Sequence, residues 1–242
     1  MTVTIRTNST IVVFATIAVM TLSRPSHAQY IGDAYGLKLN VLSLGVVSVA
    51  DTGPLPSAGG GPFTVHLLNA GVGSSAAGLG ATTGVIDTST QGLGGVATSF
   101  AVVNNLNVLP PLGTSLQLSA TVVRSDASAS SGGTVGSSTI TGLVFGSNSI
   151  TVTGAPNQTV LDAFGDTLII NEQLHNPDGS LTVNALDLSV INSTATLRVS
   201  SATAGFAGGA VTPEPGSFAL LAGIIVSGGL FTVRRSRKSV VR

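Results

Sequence analysis

Between Gln29 and Gly216 the chain is built from short apolar–polar alternations, and no stretch of it keeps a convincing helical period. Tyr35, Leu37, Leu39 and Val41 alternate, as do Val65 with Leu67, Leu116 with Leu118, and Ile150 with Val152. A period of two sends successive side chains to opposite faces of a strand, so this body is constrained to sheets with a buried face. Gly, Ser, Asn, Asp and Pro punctuate the runs, and "DTGPLPSAGGGP" (51–62) and "SDASASSGGTVGSS" (125–138) are expected to be loops. No strict repeat period is present. The expected fold is all-β, an antiparallel β-sandwich or jelly roll, with an irregular β-solenoid as the alternative. An outer-membrane barrel is disfavoured despite a mean hydropathy of +0.51, because Tyr30, Tyr35, Phe63, Phe100, Phe145, Phe164 and Phe206 are too few for two aromatic girdles.

The two ends have a different character. Arg6 followed by the apolar Ile11 to Leu22 reads as a signal peptide. Ser26-His27-Ala28 sets small residues at the two positions that matter before a cut, so cleavage is expected between Ala28 and Gln29. At the other end residues 217–233 are uncharged and mostly apolar, 17 residues that barely suffice to span a bilayer as a helix. Arg234, Arg235, Arg237, Lys238 and Arg242 follow at once, and basic residues beside a span stay on the cytoplasmic side. They act as a stop that leaves the body exported. The expected organisation is a signal peptide (1–28), an exported all-β domain (29–207), a linker (208–216), a transmembrane helix (217–233) and a basic cytoplasmic tail (234–242).

Thr212 and Glu214 each precede a proline and are biased toward extended backbone, so a short accessible peptide leads into the span. Pro213-Glu214-Pro215, an apolar span and an arginine-rich end together resemble the PEP-CTERM sorting domain of Gram-negative exopolysaccharide producers. The resemblance covers about the last thirty residues. It implies recognition by an exosortase that removes helix and tail after a transient stay in the inner membrane, and it implies an association with exopolysaccharide or biofilm. Gly216 stands where the commonest pattern has serine directly after the second proline.

With the ends set aside, three basic residues (Lys38, Arg124 and Arg198) face all ten acidic ones, giving a net charge of −7. An acidic body without a basic patch repels phosphates, so nucleic acid is excluded as a partner. The absence of cysteine excludes disulfides, thiolate catalysis and cysteine metal ligation.

Within the body, Asn176-Pro177-Asp178-Gly179 carries type I turn chemistry, and a hairpin with His175 opposite Ser180 is expected. Asn171, Gln173 and His175 then face Asn184, Thr182 and Ser180 on a polar side, and Glu172 falls among Ile170, Leu174, Leu181, Val183 and Ala185. A carboxylate buried there needs hydrogen bonds or a cationic partner, for which Arg124, Arg198 and Lys38 are the candidates. His66 and His175 are the only histidines of the mature chain, and neither they nor Asp187 sit in a G-x-S-x-G context. Asp162, Asp166 and Asp178 lack the spacing of a calcium loop and are expected to cap turns, so no metal or cofactor is expected. "AYGLKLNVLSLG", "NEQ" at 171–173 and "LTVNALDL" at 181–188 resemble the choice-of-anchor P family of exported domains, a resemblance that implies no activity. Without tryptophan and with few aromatics, sugar stacking has little to use. The expected function is therefore non-enzymatic, a surface or extracellular-matrix protein, with a carbohydrate-binding or hydrolytic domain as the alternative.

Overall fold

The structure is a computed structural model, and it describes residues 29–41, 45–74, 79–109, 117–161, 165–190 and 195–207. The expectations placed on Ala28, on Asp162, on Pro213, Glu214 and Pro215, on residues 217–233, and on Arg234, Arg235, Arg237 and Lys238 lie outside these residues. The described chain forms strands β1 (Gln29–Val41), β2 (Gly45–Val49), β3 (Gly60–Leu68), β4 (Gly71–Ser74), β5 (Leu79–Thr82), β6 (Val85–Leu93), β7 (Val96–Leu109) and β8 (Leu118–Ser130). It continues through β9 (Gly133–Thr141), β10 (Val144–Phe145), β11 (Asn148–Ser149), β12 (Gln158–Leu161), β13 (Thr167–His175), β14 (Leu181–Val190) and β15 (Ala195–Ala207).

The all-β expectation holds. One sheet runs β12-β13-β14-β15-β1-β2 and the other β11-β10-β8-β7-β5-β4, with β6 and then β3 flanking β7 and with β9 beside β8. All their pairings are antiparallel. The sheets pack face to face: Leu37, Leu39, Leu186, Leu188, Leu197 and Val199 of the first meet Ile86, Val103, Leu106, Leu118, Val123 and Phe145 of the second in one core. Each buried leucine there contributes roughly 1.5–3 kcal/mol of transfer free energy.

A seam crosses each sheet. Among the described residues the non-glycine residues with positive φ are Ala50 (55°), Asn69 (51°), Asn105 (52°), Asn157 (59°), Asn171 (52°) and Ser200 (56°). Following the strand registers, Ala50, Gly36, Ser200, Ala185, Asn171 and Asn157 stand side by side across the first sheet. Asn69, Gly84, Asn105, Thr121 and Gly142 do the same across the second. The register is unbroken on either side, since Ile86↔Val103 and Ala81↔Val108 belong to one alignment, as do Val122↔Thr141 and Ser119↔Val144. What changes is which residues point inward. In β14 they are Leu181 and Val183 before the seam and Leu186, Leu188 and Val190 after it; in β15, Ala195, Leu197 and Val199, then Ala202 and Ala204. In β8 they are Leu118 and Ala120, then Val123, Ala127 and Ala129. A left-handed residue resets the pleat, and asparagine, whose short polar side chain tolerates that conformation, occupies four of the six sites. Hydroxyls bridge the sheets at this level: Ser200 Oγ donates to the Ala101 carbonyl (2.8 Å) and Thr88 Oγ1 to the Ala50 carbonyl (3.0 Å).

Two local expectations are corrected. Most of 125–138 is strand, with only Ser131 and Gly132 between β8 and β9. Its small residues are packing residues, because Ala127 and Ala129 are buried and a Cβ on Gly136 would strike Val183 and Leu181 of the other sheet. The hairpin at 176–179 exists, but His175 pairs with Leu181 instead of Ser180. The Gly179 amide closes the turn onto the Asn176 carbonyl (3.0 Å), the Asn176 amide then bonds the Ser180 carbonyl (2.9 Å), and Gly179 takes φ 81°, so the loop has three residues. Ile150 and Val152 pack on the core from outside any strand.

Candidate functional site

The shifted register and the seam relocate Glu172. Leu168 and Ile170 enter the core, but beyond Asn171 it is Gln173 that reaches inward, its Nε2 donating to the Gly136 carbonyl of β9 (3.1 Å). Glu172 therefore lies on the outer face of the first sheet, half-buried, while Asn171, expected on the polar face, is buried and donates to the Gly154 carbonyl (3.0 Å). Leu174, expected among the apolar residues, is exposed.

Across that outer face the registers align Tyr35, Ser201, Asn184 and Glu172 in one row. Beyond the seam a second row holds Lys38, Arg198, Asp187 and Ile169. Asn184 Nδ2 donates to Glu172 Oε2 (2.6 Å), Arg198 Nε donates to Asp187 Oδ2 (2.7 Å), and the Lys38 ammonium sits 4.8 Å from the Tyr35 ring centre. Tyr35, Asn184, Asp187 and Ser201 are all buried, and among the described residues Asn184 Oδ1 has no hydrogen-bond partner. Burial pushes the Glu172 carboxyl above its ordinary range; the Asn184 amide opposes this, and the neighbouring Asp187 carboxylate reinforces it. A second acidic pair, Asp33 and Asp51, borders the first row, and burial followed by Asp51 raises Asp33 in the same direction. Burial also raises the Tyr35 phenol. The structure thus gathers Glu172, Asp187, Arg198 and Lys38 in one place, with Arg198 held by Asp187 and Arg124 on the other sheet.

There Arg124 pairs with Asp126 through Nε (2.6 Å) and Nη2, with its guanidinium 5.0 Å from the Phe100 ring centre. Phe100 and Asp126 line a shallow depression together with Thr98, Ser128, Val135 and Ser137. His66 Nδ1 bonds Asp87 on the same layer, a pairing that sequence spacing did not disclose. Such a pair orients an imidazole and needs a nucleophile at the other ring nitrogen to become catalytic. His175 is exposed at the end of β13. Asp178 caps its turn, Oδ1 accepting from Ser180 Oγ (2.7 Å) and the Ser180 amide (2.9 Å), and these bonds hold its carboxyl below the usual range. Among the described residues no three histidine or acidic side chains converge as a metal site. Against models of protein families, curated proteins and solved structures the chain gives no match.

Proposed function

We propose that the chain is an exported, non-enzymatic surface or extracellular-matrix protein of a Gram-negative bacterium, delivered through the inner membrane and cut by an exosortase, and associated with exopolysaccharide. The observation that carries this reading is the ordered sequence of Pro213-Glu214-Pro215, the apolar run 217–233 and the basic tail. Gln29 and Ala207 are paired, with the Tyr30 and Phe206 ring centres 5.3 Å apart and the rings tilted at 58° beside them. The two facing antiparallel sheets favour a β-sandwich body over a solenoid.

The test is fractionation of cells carrying an epitope tag in the exposed Ser131-Gly132 turn, with and without the exosortase. The expected outcome is a shortened protein outside the inner membrane only when the enzyme is present, and retention of full-length protein for Glu214→Ala. Full-length wild-type protein in the inner membrane of enzyme-positive cells overturns the reading.

A further inference from the structure

We infer that the β2 edge is a self-association surface that pairs with the β2 strand of a second copy of this chain. Among the described residues six strands have an open edge, and five are blunted. β4 and β12 have four residues and β11 two, β3 contains Pro62 and a register shift between Gly60 and Phe63, and β9 lies against the opposite sheet, where Gln173 caps the Gly136 carbonyl. Short strands, proline, irregularities and covering contacts are the devices that keep sheet edges from pairing.

β2 has neither proline nor register shift, and at five residues it is longer than β4, β11 and β12. Its sequence is GVVSV, among the described residues it pairs with β1 alone, and Val46 and Val47 are 55% and 51% exposed. No charge occurs from Leu39 to Ala50, between Lys38 and Asp51. In a body of net charge −7, two copies repel over most of their surface, and this uncharged edge is where they approach at least electrostatic cost. An antiparallel β2–β2′ pair is also self-complementary, which a two-fold dimer requires and an unrelated partner does not supply. Five residues bury far less than the roughly 1,600 Å² of a standard interface, so the pairing is weak and concentration-dependent. Crowding on a surface or in a matrix is the setting in which such an edge is used.

Because the chain has no cysteine, single cysteines report pairing cleanly. Val46→Cys, Val47→Cys and Ser48→Cys are compared with Thr159→Cys on the β12 edge, using the protein purified from its host under oxidation. Opposed residues in an antiparallel pair have Cβ atoms about 4.5–5.5 Å apart, so at least one β2 position is expected to give a disulfide-linked dimer well above the β12 control. Sedimentation velocity from low micromolar to millimolar protein is expected to show reversible dimerisation that Val47→Lys abolishes. A wild-type protein that stays monomeric, cross-linking no stronger on β2 than on β12, or dimerisation unaffected by Val47→Lys overturns the inference. Dimerisation is read equally on the cut and the uncut chain, so the assays are run on whichever form the host yields; failure here leaves the sorting proposal standing, and the converse holds as well.

Discussion

At the scale of single residues the outer-face rows have a definite pH signature. Glu172 is half-buried beside Asp187, and burial is the first cause of its raised carboxyl. A carboxyl raised on folding binds its proton more tightly in the native state. Its contribution is complete below the unfolded value of about 4.3 and is lost as pH rises through the folded value. Thermal stability is therefore expected to decline from the ordinary carboxylate range toward neutrality. Glu172→Gln keeps an acceptor for Asn184 and removes the titration, so its melting temperature should vary less with pH and exceed that of wild type at neutral pH. Melting curves over a pH series check this, and a steeper slope in the variant counts against it. Asp33→Asn should act in the same direction, since Asp33 is raised by burial and by Asp51.

Strands and turns show what the sequence disclosed and where it stopped. The alternation of Leu37, Leu39 and Val41 and the hairpin at 176–179 were legible, because burial and turn chemistry act locally, whereas the hydrogen-bond partner of Glu172 is the Asn184 amide and none of the three basic residues. The seam was not. Alternation read straight through Asn171 put Glu172 with Ile170 and Leu174, and one left-handed residue reverses that assignment. The small-residue stretch 125–138 reads as a loop because polarity alone does not distinguish a solvated serine from Ser125, buried against Ser200 with the two Oγ atoms 3.1 Å apart. Asparagine breaking into an apolar run, as in "VVNNLNV" and "IINEQL", is the available signal. Asn105 tests it well, being exposed at φ 52° on a central strand. Asn105→Gly is expected to be nearly neutral, whereas Asn105→Val, β-branched in a left-handed site, should cost about 1–2 kcal/mol. Denaturant unfolding of the two variants measures the difference, and equal stabilities would show that the seam does not depend on the left-handed residue.

In the whole molecule, the seam also decides how closely the two sheets approach. Gly36 stands in the first sheet's seam row, and a Cβ built on it would collide with the Ile86 Cγ2 methyl of β6, a side chain that is fully buried. Gly32 faces Thr90 and Ser99 in the same way, and Gly136 faces Val183 and Leu181. The sheets are therefore in contact through glycines at places where most sandwiches interpose side chains, which explains how a body rich in Gly, Ser and Ala still packs a dense interior. Gly36→Ala should then destabilise by roughly 1–3 kcal/mol through overpacking. Ile86→Ala alone should cost about 2–5 kcal/mol by opening a cavity. If the two positions share one space, the double variant is less destabilised than the sum, because the new methyl enters the volume that the isoleucine vacates. A coupling of about 1 kcal/mol or more, obtained from the four unfolding free energies, is the expected result. Strict additivity would mean that the sheets separate to admit the alanine, and the glycine contacts would then not set their spacing.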